Sequence, residues 1–354
     1  MGNVLVSVVV PTYDRAGFVE TAIRSLLEQD YEALEVIAID DGSRDDTPLL
    51  LSRIAERADP ARFRWLRQDN VGQPASINRG LELARGGLLG YLSSDDYLLP
   101  GAISRLVSGA EEHPEVDVIY PWFEVRDVRD QVLDTHGSLQ HTYVDALRLA
   151  ICIPGVGALV RRSWYERVGG WDPSYRFAPD YEWWLRDRDA LFLGIPVALG
   201  VFRQHDGSTT AGPFELEKIR ERIRILDDIY CAGDLPAEVL AVKLEAYSAV
   251  LAVGASSLEN AGAAASDRRF VIEDRLLPVY SRTGRAIDKE SRLDLLRSLR
   301  SAESQLANAM EVVSQLEQTV AVLEDAARRR ELRISQLEAE LDHPHAEMAT
   351  PGMS

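Results

Sequence analysis

The chain has 354 residues, 46% hydrophobic and 27% charged, an ordinary globular balance with room for one catalytic-size domain and something more. Its 39 basic and 57 acidic residues leave a net charge of −18, which argues against a nucleic-acid surface and against docking by charge on an anionic membrane. Two cysteines, Cys152 and Cys231, are too few for a disulfide framework or a cysteine zinc site.

The start, MGNVLVSVVVPTYDR, has neither the basic n-region nor the small-residue cleavage site of a signal peptide. The β-branched run over residues 4–10, ended by Pro11, predicts a buried parallel strand. Residues 16–29 show helical spacing, with Phe18, Ala22, Ile23, Leu26 and Leu27 on one side. Strands follow at 34–39, 63–66 and 88–92, alternating with helices at 45–57 and 74–84. That alternation predicts an α/β domain, Rossmann-like, with a mostly parallel sheet.

From about 114 the pattern changes. A strand is expected at 116–120, a hairpin region at 124–132, a short helix from Ser163 and an amphipathic helix over 181–188. Trp164, Tyr165, Trp171, Tyr175, Tyr181, Trp183 and Trp184 crowd this stretch; they read as core, or as the floor of a sugar-binding cleft. The uncharged apolar stretch over 190–202 has thirteen residues, too short to span a bilayer, so the protein reads as cytoplasmic.

Residues 213–290 read as a helical extension without a motif. A heptad then runs from Leu299 to Leu341, with Leu306, Val313, Val320 and Ile334 at a, Leu316, Leu323 and Leu337 at d, and Arg330 breaking the seam. It predicts a coiled coil over 291–342 and, through it, a homo-oligomer; the alternative is one long helix packed back on the globular domain. The tail, 343–354, reads as disordered. The expected domains are therefore 1–212, 213–290, 291–342 and the tail.

Open α/β sheets bind ligands at the carboxyl ends of their strands. Three polar clusters stand there: Pro11-Thr12-Tyr13-Asp14, Asp40-Asp41 and Ser93-Ser94-Asp95-Asp96. The adjacent carboxylates Asp95 and Asp96 suit a hard divalent cation that also holds a diphosphate; the alternative is a helix N-cap. No phosphate-binding glycine loop of the Walker or dinucleotide type is present.

The segments VSVVVPTYDR, VIAIDDGSRDDT, DNVGQPASINRGL, GYLSSDDYLLPGAI and YERVGGWDPSYRFAPDYEWWLR, in this order over residues 5–210, resemble the family 2 nucleotide-sugar glycosyltransferases of the GT-A fold. The resemblance implies that Pro11, Thr12 and Tyr13 border the nucleobase. It implies that Asp41 accepts a base N–H, favouring a UDP- or dTDP-sugar. Asn78, Ser94 and Asp95 would lie on the donor side, with Asp95 at the ribose or sugar. Asp96 would ligate Mn²⁺ or Mg²⁺, helped by His205, and Asp180 would be the general base. The chain departs from the family pattern in three places. Ile77 precedes Asn78 where Arg is common, Ser94-Asp95-Asp96 is no strict Asp-x-Asp, and Pro179-Asp180 replaces an acidic pair, with Glu182 one helical step away.

The expected activity is inverting, metal-dependent sugar transfer to a hydroxyl acceptor. Relatives of this kind in bacteria build surface polysaccharide, lipid-linked oligosaccharide or protein glycans. A lipid-linked acceptor would be met at the inner membrane surface. Two other readings stand beside it: a catalytically degenerate scaffold acting through the coiled coil, and a nucleotidyltransferase, which would need a glycine-rich basic loop where only Arg15 follows the first strand.

Overall fold

The computed structural model describes residues 4–250, apart from 139–140, 150–153, 206, 209–214, 234, 244 and 248. They fall within one compact unit, Met1–Arg285. A second unit, Ala286–Ser354, lies outside the described residues, and with it the heptads and the tail.

The first half runs β1 (Val6–Thr12), α1 (Val19–Leu27), β2 (Leu34–Asp40), α2 (Thr47–Ala55), β3 (Phe63–Arg67), α3 (Gln73–Leu83), β4 (Leu88–Tyr91), β5 (Tyr97–Leu98) and α4 (Ala102–Glu112). The second half runs β6 (Val118–Arg126), β7 (Val132–His136), α5 (Tyr143–Leu149), β8 (Leu159–Arg161), α6 (Arg162–Val168), α7 (Pro179–Trp184), β9 (Phe192–Arg203), α8 (Glu215–Cys231) and α9 (Ala237–Ala241).

The strands form one sheet in the order β3-β2-β1-β4-β8-β6-β9-β5, with β7 paired to β6. All seven residues of β1 and of β2 are buried, because helices cover both faces. Val6, Val8, Val10, Val36 and Ala38 pack with α1, α2 and α4. Val9, Ile37 and Ile39 pack with α3 and with the tryptophans of α6 and α7. Gly80 lets α3 sit directly on β1: a Cβ there would lie 2.3 Å from Val9 Cγ1.

Several expectations are corrected. The sheet is mixed: β3-β2-β1-β4 and the β6–β9 pair are parallel, but β8, β7 and β5 run antiparallel to their neighbours. β1 does not stop before Pro11. Its pairing with β4 ends at Val9, so beyond that point Pro11 faces an open edge and its missing N–H costs no ladder bond. Helix α1 begins at Val19 rather than 16: residues 16–18 form a turn in which the Phe18 and Val19 N–H groups both donate to the Arg15 carbonyl, each at 2.9 Å. The apolar stretch over 190–202 is mostly the strand β9, paired with β6 and β5. No described helix is long and apolar enough to cross a membrane.

The aromatic cluster is mostly core, with Tyr165 half-buried and Tyr175 also lining the cleft described below. Trp164, Trp171, Tyr175, Tyr181, Trp183 and Trp184 are all buried, with Trp164 and Trp183 edge-on at 5.0 Å. Four tryptophan rings seat α6 and α7 on the sheet, which fixes where the start of α7 points.

The opposite end of β1 and β2 carries a buried polar network. Glu35, 2% exposed, accepts hydrogen bonds from Ser7 Oγ (2.6 Å), Arg85 N–H (2.7 Å) and Arg85 Nε (2.9 Å). Burial alone would raise its carboxyl pKa, but these hydrogen bonds and the Arg85 charge outweigh it and hold the group below the usual range. Arg85 is well exposed, so the stabilisation rests on the buried hydrogen bonds rather than the ion pair. Glu35→Ala should cost about 2–3 kcal/mol at pH 7 by denaturant unfolding. A carboxyl with a depressed folded pKa stabilises above its unfolded pKa and loses that stabilisation as pH falls through the folded value. The gap between variant and parent should therefore shrink below about pH 4.3; a gap that stays constant down to pH 2 would contradict this role.

Candidate active site

The loops after β1 and β2 are tied together by side chains. Asp14 N–H donates to Ser43 Oγ at 2.9 Å, and Arg44 N–H donates to Asp14 Oδ1 at 2.7 Å. Asp14 and Gly42 adopt left-handed conformations, φ +50° and +80°. Asp tolerates that region, and at Gly42 a Cβ would stand 3.0 Å from the Asn70 nitrogen. This stitching holds open a cleft of about 610 Å³ at the carboxyl ends of β1, β2 and β4. Pro11, Thr12, Tyr13, Asp41, Ser94, Asp95 and Asp96 all line it, together with Arg15 and Arg176.

Asp41 is buried and already holds three donors. Its Oδ1 accepts Gln68 Nε2 (2.8 Å) and Val71 N–H (3.0 Å), and its Oδ2 accepts Gly72 N–H (2.8 Å). A carboxylate offers about four acceptor positions, so one on Oδ2 remains for a ligand. Arg79 donates to Gln68 Oε1 at 2.8 Å, which fixes the direction of the Gln68 amide. Asp41 thus shapes the loop leading into α3 as well as the cleft wall.

The Asp95–Asp96 turn is gripped from β9. Arg203 N–H donates to Asp96 Oδ1 at 3.0 Å, and the Arg203 guanidinium donates to the Asp95 carbonyl. That guanidinium lies between the rings of Phe18 and Tyr97, 5.0 and 5.3 Å from their centroids. Asp96 is 5% exposed; burial first, and then the Asp95 charge, hold its carboxyl well above the usual range. It does not cap α4, whose N-cap is Gly101. Asp95 faces two basic groups: Arg15 Nε at 3.4 Å and His205 Nε2 at 3.2 Å, both on Oδ2. Gly207 N–H donates to His205 Nδ1 at 3.1 Å, so a neutral ring carries its proton on Nε2 and donates to Asp95. His205 therefore meets Asp95, not Asp96, and stacks on Phe18 at 4.4 Å. Among the described residues, no three His, Cys, Asp or Glu side chains are grouped as a metal cage.

Asn78 stands outside the cleft lining. Its amide clamps the Trp171 backbone, donating to the carbonyl at 2.8 Å and accepting the N–H at 2.7 Å. Asp180 sits in the first turn of α7, whose N-cap is Ala178, and accepts the Tyr181 N–H at 2.8 Å. It lines a second cavity of about 410 Å³ that shares Ser93, Asp96 and Phe202 with the cleft.

The sequence reading did not single out Arg203, Gln68 or Glu221. Glu221, on α8, accepts the backbone N–H groups of Arg176 (2.7 Å), Phe177 (2.6 Å) and Ala178 (3.1 Å), the turn just before Asp180. Tyr175 donates to Asp228 at 2.9 Å, and Arg224 lies 4.3 Å over the Tyr175 ring. Helix α8 is thus bonded to the segment that carries Asp180.

Comparison with known proteins agrees with this geometry. Residues 7–169 match the profile of "Glycosyl transferase family 2". The uncharacterized protein MT1568 of Mycobacterium tuberculosis is 36% identical over 226 residues, 58% of this chain and 68% of that protein. An uncharacterized glycosyltransferase of Rickettsia prowazekii is 26% identical over 189 residues, 51% of this chain and 58% of its own length. The GalNAc(5)-diNAcBac-PP-undecaprenol beta-1,3-glucosyltransferase of Campylobacter jejuni is 37% identical over 106 residues, 30% of this chain and only 34% of that enzyme. The chain therefore spans about a third to two thirds of these relatives. Among solved structures, S. aureus TarS with UDP-GlcNAc aligns at TM-score 0.56 and 16% identity, covering 83% of this chain and 80% of that one. The mannosyltransferase PcManGT of Pyrobaculum calidifontis, with GDP-Man and Mn²⁺, aligns at 0.53 and 19%, covering 85% of each. At such identities these two speak for the fold alone. Five ordered motifs, three strand ends meeting in one cleft and the family match lead to one conclusion: the chain belongs to glycosyl transferase family 2.

Proposed function

We propose that this protein moves a sugar from a nucleotide-diphosphate donor to an acceptor hydroxyl in a single inverting displacement. The observation that carries the reading is the convergence of Thr12, Tyr13, Asp41, Asp95 and Asp96 on one cleft, with Asp180 in an adjoining cavity that shares Asp96. In this reading Thr12, Tyr13 and Asp41 receive the nucleoside of a UDP- or dTDP-sugar. Asp180 takes the acceptor proton as the acceptor oxygen bonds the anomeric carbon and the carbon–oxygen bond to the diphosphate breaks. The nucleoside diphosphate leaves as the anion.

The residues present fit a divalent cation. Three carboxylates line the cleft, Asp41, Asp95 and Asp96, against two guanidiniums, Arg15 and Arg176. A diphosphate entering there meets a carboxylate excess, and hard oxygen donors are what Mg²⁺ or Mn²⁺ takes. Asp96 and Asp95 would hold the ion, with His205 able to reach it through Nε2 in the other neutral tautomer, whose proton sits on Nδ1 in place of the Gly207 N–H hydrogen bond. Bound there, it supplies positive charge against the charge growing on the leaving diphosphate. The acceptor in this reading is a glycan or a lipid- or protein-linked hydroxyl, and the Campylobacter relative, named for an undecaprenol-linked substrate, supports an acceptor met at a membrane surface.

The test is a hydrolysis and transfer screen of UDP-, dTDP- and GDP-sugars with Mn²⁺. Nucleotide release from one donor class, abolished by EDTA and restored by metal, is expected. Release from none of them would leave the scaffold reading in its place, and release indifferent to EDTA would remove the metal.

A further inference from the structure

We propose that Phe18 is a positioning residue for the cation end of the cleft, its one ring aligning the two residues after β9 that meet Asp95 and Asp96. This rests on the transferase reading above and deepens it by naming what holds His205 in line for the cation. Phe18 lines neither of the two cavities, so it acts through its neighbours and not on substrate. Its ring stacks on His205, centroids 4.4 Å apart and planes 22° from parallel. The Arg203 guanidinium lies 5.0 Å from the same centroid, and Arg203 Nη2 donates to the Phe18 carbonyl at 3.3 Å. Arg203 in turn donates to Asp96 Oδ1 and to the Asp95 carbonyl. Phe18 is itself fixed at the head of α1: its N–H donates to the Arg15 carbonyl at 2.9 Å, and its carbonyl accepts the Ala22 N–H at 3.3 Å.

The stack matters because the hydrogen bonds of His205 depend on its tautomer and the stack does not. With its proton on Nε2, the ring donates to Asp95 and accepts the Gly207 N–H on Nδ1. In the tautomer that turns the Nε2 lone pair to a cation, both of those hydrogen bonds are given up. The contact with Phe18 uses the face of the ring and neither nitrogen, so it persists through the exchange. Phe18 thus keeps Nε2 directed at the Asp95 side in both tautomers. An aliphatic side chain of similar volume fills the same space. It offers no ring face to His205 and no quadrupole to the Arg203 guanidinium.

The experiment uses the full chain and reads Mn²⁺ binding directly, from the electron paramagnetic resonance of free Mn²⁺ titrated with protein at saturating UDP. Phe18→Leu should weaken Mn²⁺ about tenfold and leave UMP affinity, measured in EDTA, within about twofold of the parent. Phe18→Met, a second non-aromatic variant, should repeat that result. Phe18→Tyr, which restores the ring, should bind Mn²⁺ within about threefold of the parent. In a His205→Ala background, Phe18→Leu should cost at most about threefold, because the partner of the stack is gone. Four results overturn the proposal: Mn²⁺ affinity unmoved in both non-aromatic variants, an equal loss in the tyrosine variant, UMP affinity falling in step with Mn²⁺, or the full loss persisting without His205. EDTA-sensitive donor hydrolysis by the parent then leaves the transferase reading standing. No metal-dependent turnover of any donor by the parent overturns both.

Discussion

Asp180→Asn should slow sugar transfer about 10²–10⁴-fold and leave donor affinity unchanged. The asparagine keeps the size and one acceptor oxygen, so the Tyr181 N–H still has a partner; what disappears is the capacity to take a proton. No neighbour on α7 can substitute. Glu182, the other acid in that turn, gives both carboxylate oxygens to Arg186, each at 2.6 Å. Glu182→Gln should therefore disturb that tie without removing the base. Single-turnover transfer, read beside calorimetric donor binding with Mn²⁺, separates the two effects. Transfer by Asp180→Asn at the parent rate would take Asp180 out of the chemistry.

The second large effect is expected at Asp41. Asp41→Asn should weaken donor binding about 10–100-fold and lower the unfolding temperature together. A carboxylate accepts on both oxygens, and here Gln68 Nε2, Val71 N–H and Gly72 N–H all point at it. An amide has one oxygen and one NH₂. Whichever way it turns, a donor faces a donor, and the loop from Asn70 to Gly72 must shift away from the cleft. Gly72 is itself held at φ +94° as the N-cap of α3, so the displacement would reach the helix start. Calorimetry and thermal unfolding on the same preparation give both quantities. Donor affinity retained within twofold, with the loop loosened, would assign Asp41 to architecture rather than to donor recognition.

What the sequence makes legible is local. The β-branched runs of β1 and β2 mark their own burial, and the residues that follow a strand follow it in space too. For that reason Thr12, Asp41 and the Ser94-Asp95-Asp96 turn can be assigned to one cleft before any coordinates. The same rule points at Gln68, one residue past β3, which here orients Asp41. Other features depend on distance along the chain. β8 has three residues, and β9 contains Gly194, Pro196 and Gly200, which blur any alternation. Arg203 lies 107 residues from the Asp96 it supports, so only the pairing of β5 with β9 brings them together. Asn78 and the tryptophans illustrate the converse. Their residue types suit a ligand, but the packing of α6 and α7 on the sheet uses them as core and clamp. Glu221 is one of several acids on a charged helix, and no local signal separates it from the rest.

That glutamate has a consequence for how substrate binding can be spent. Fixing the backbone of one residue costs about 1–2 kcal/mol of conformational entropy, so the three residues Glu221 anchors represent about 3–6 kcal/mol. The ordering of that turn is completed when α8 folds against it, before any ligand arrives. In the proposed reaction, an incoming acceptor would meet Asp180 on a segment whose backbone α8 already holds. Its contact energy is left to lower the barrier instead of quenching the motion of a loop.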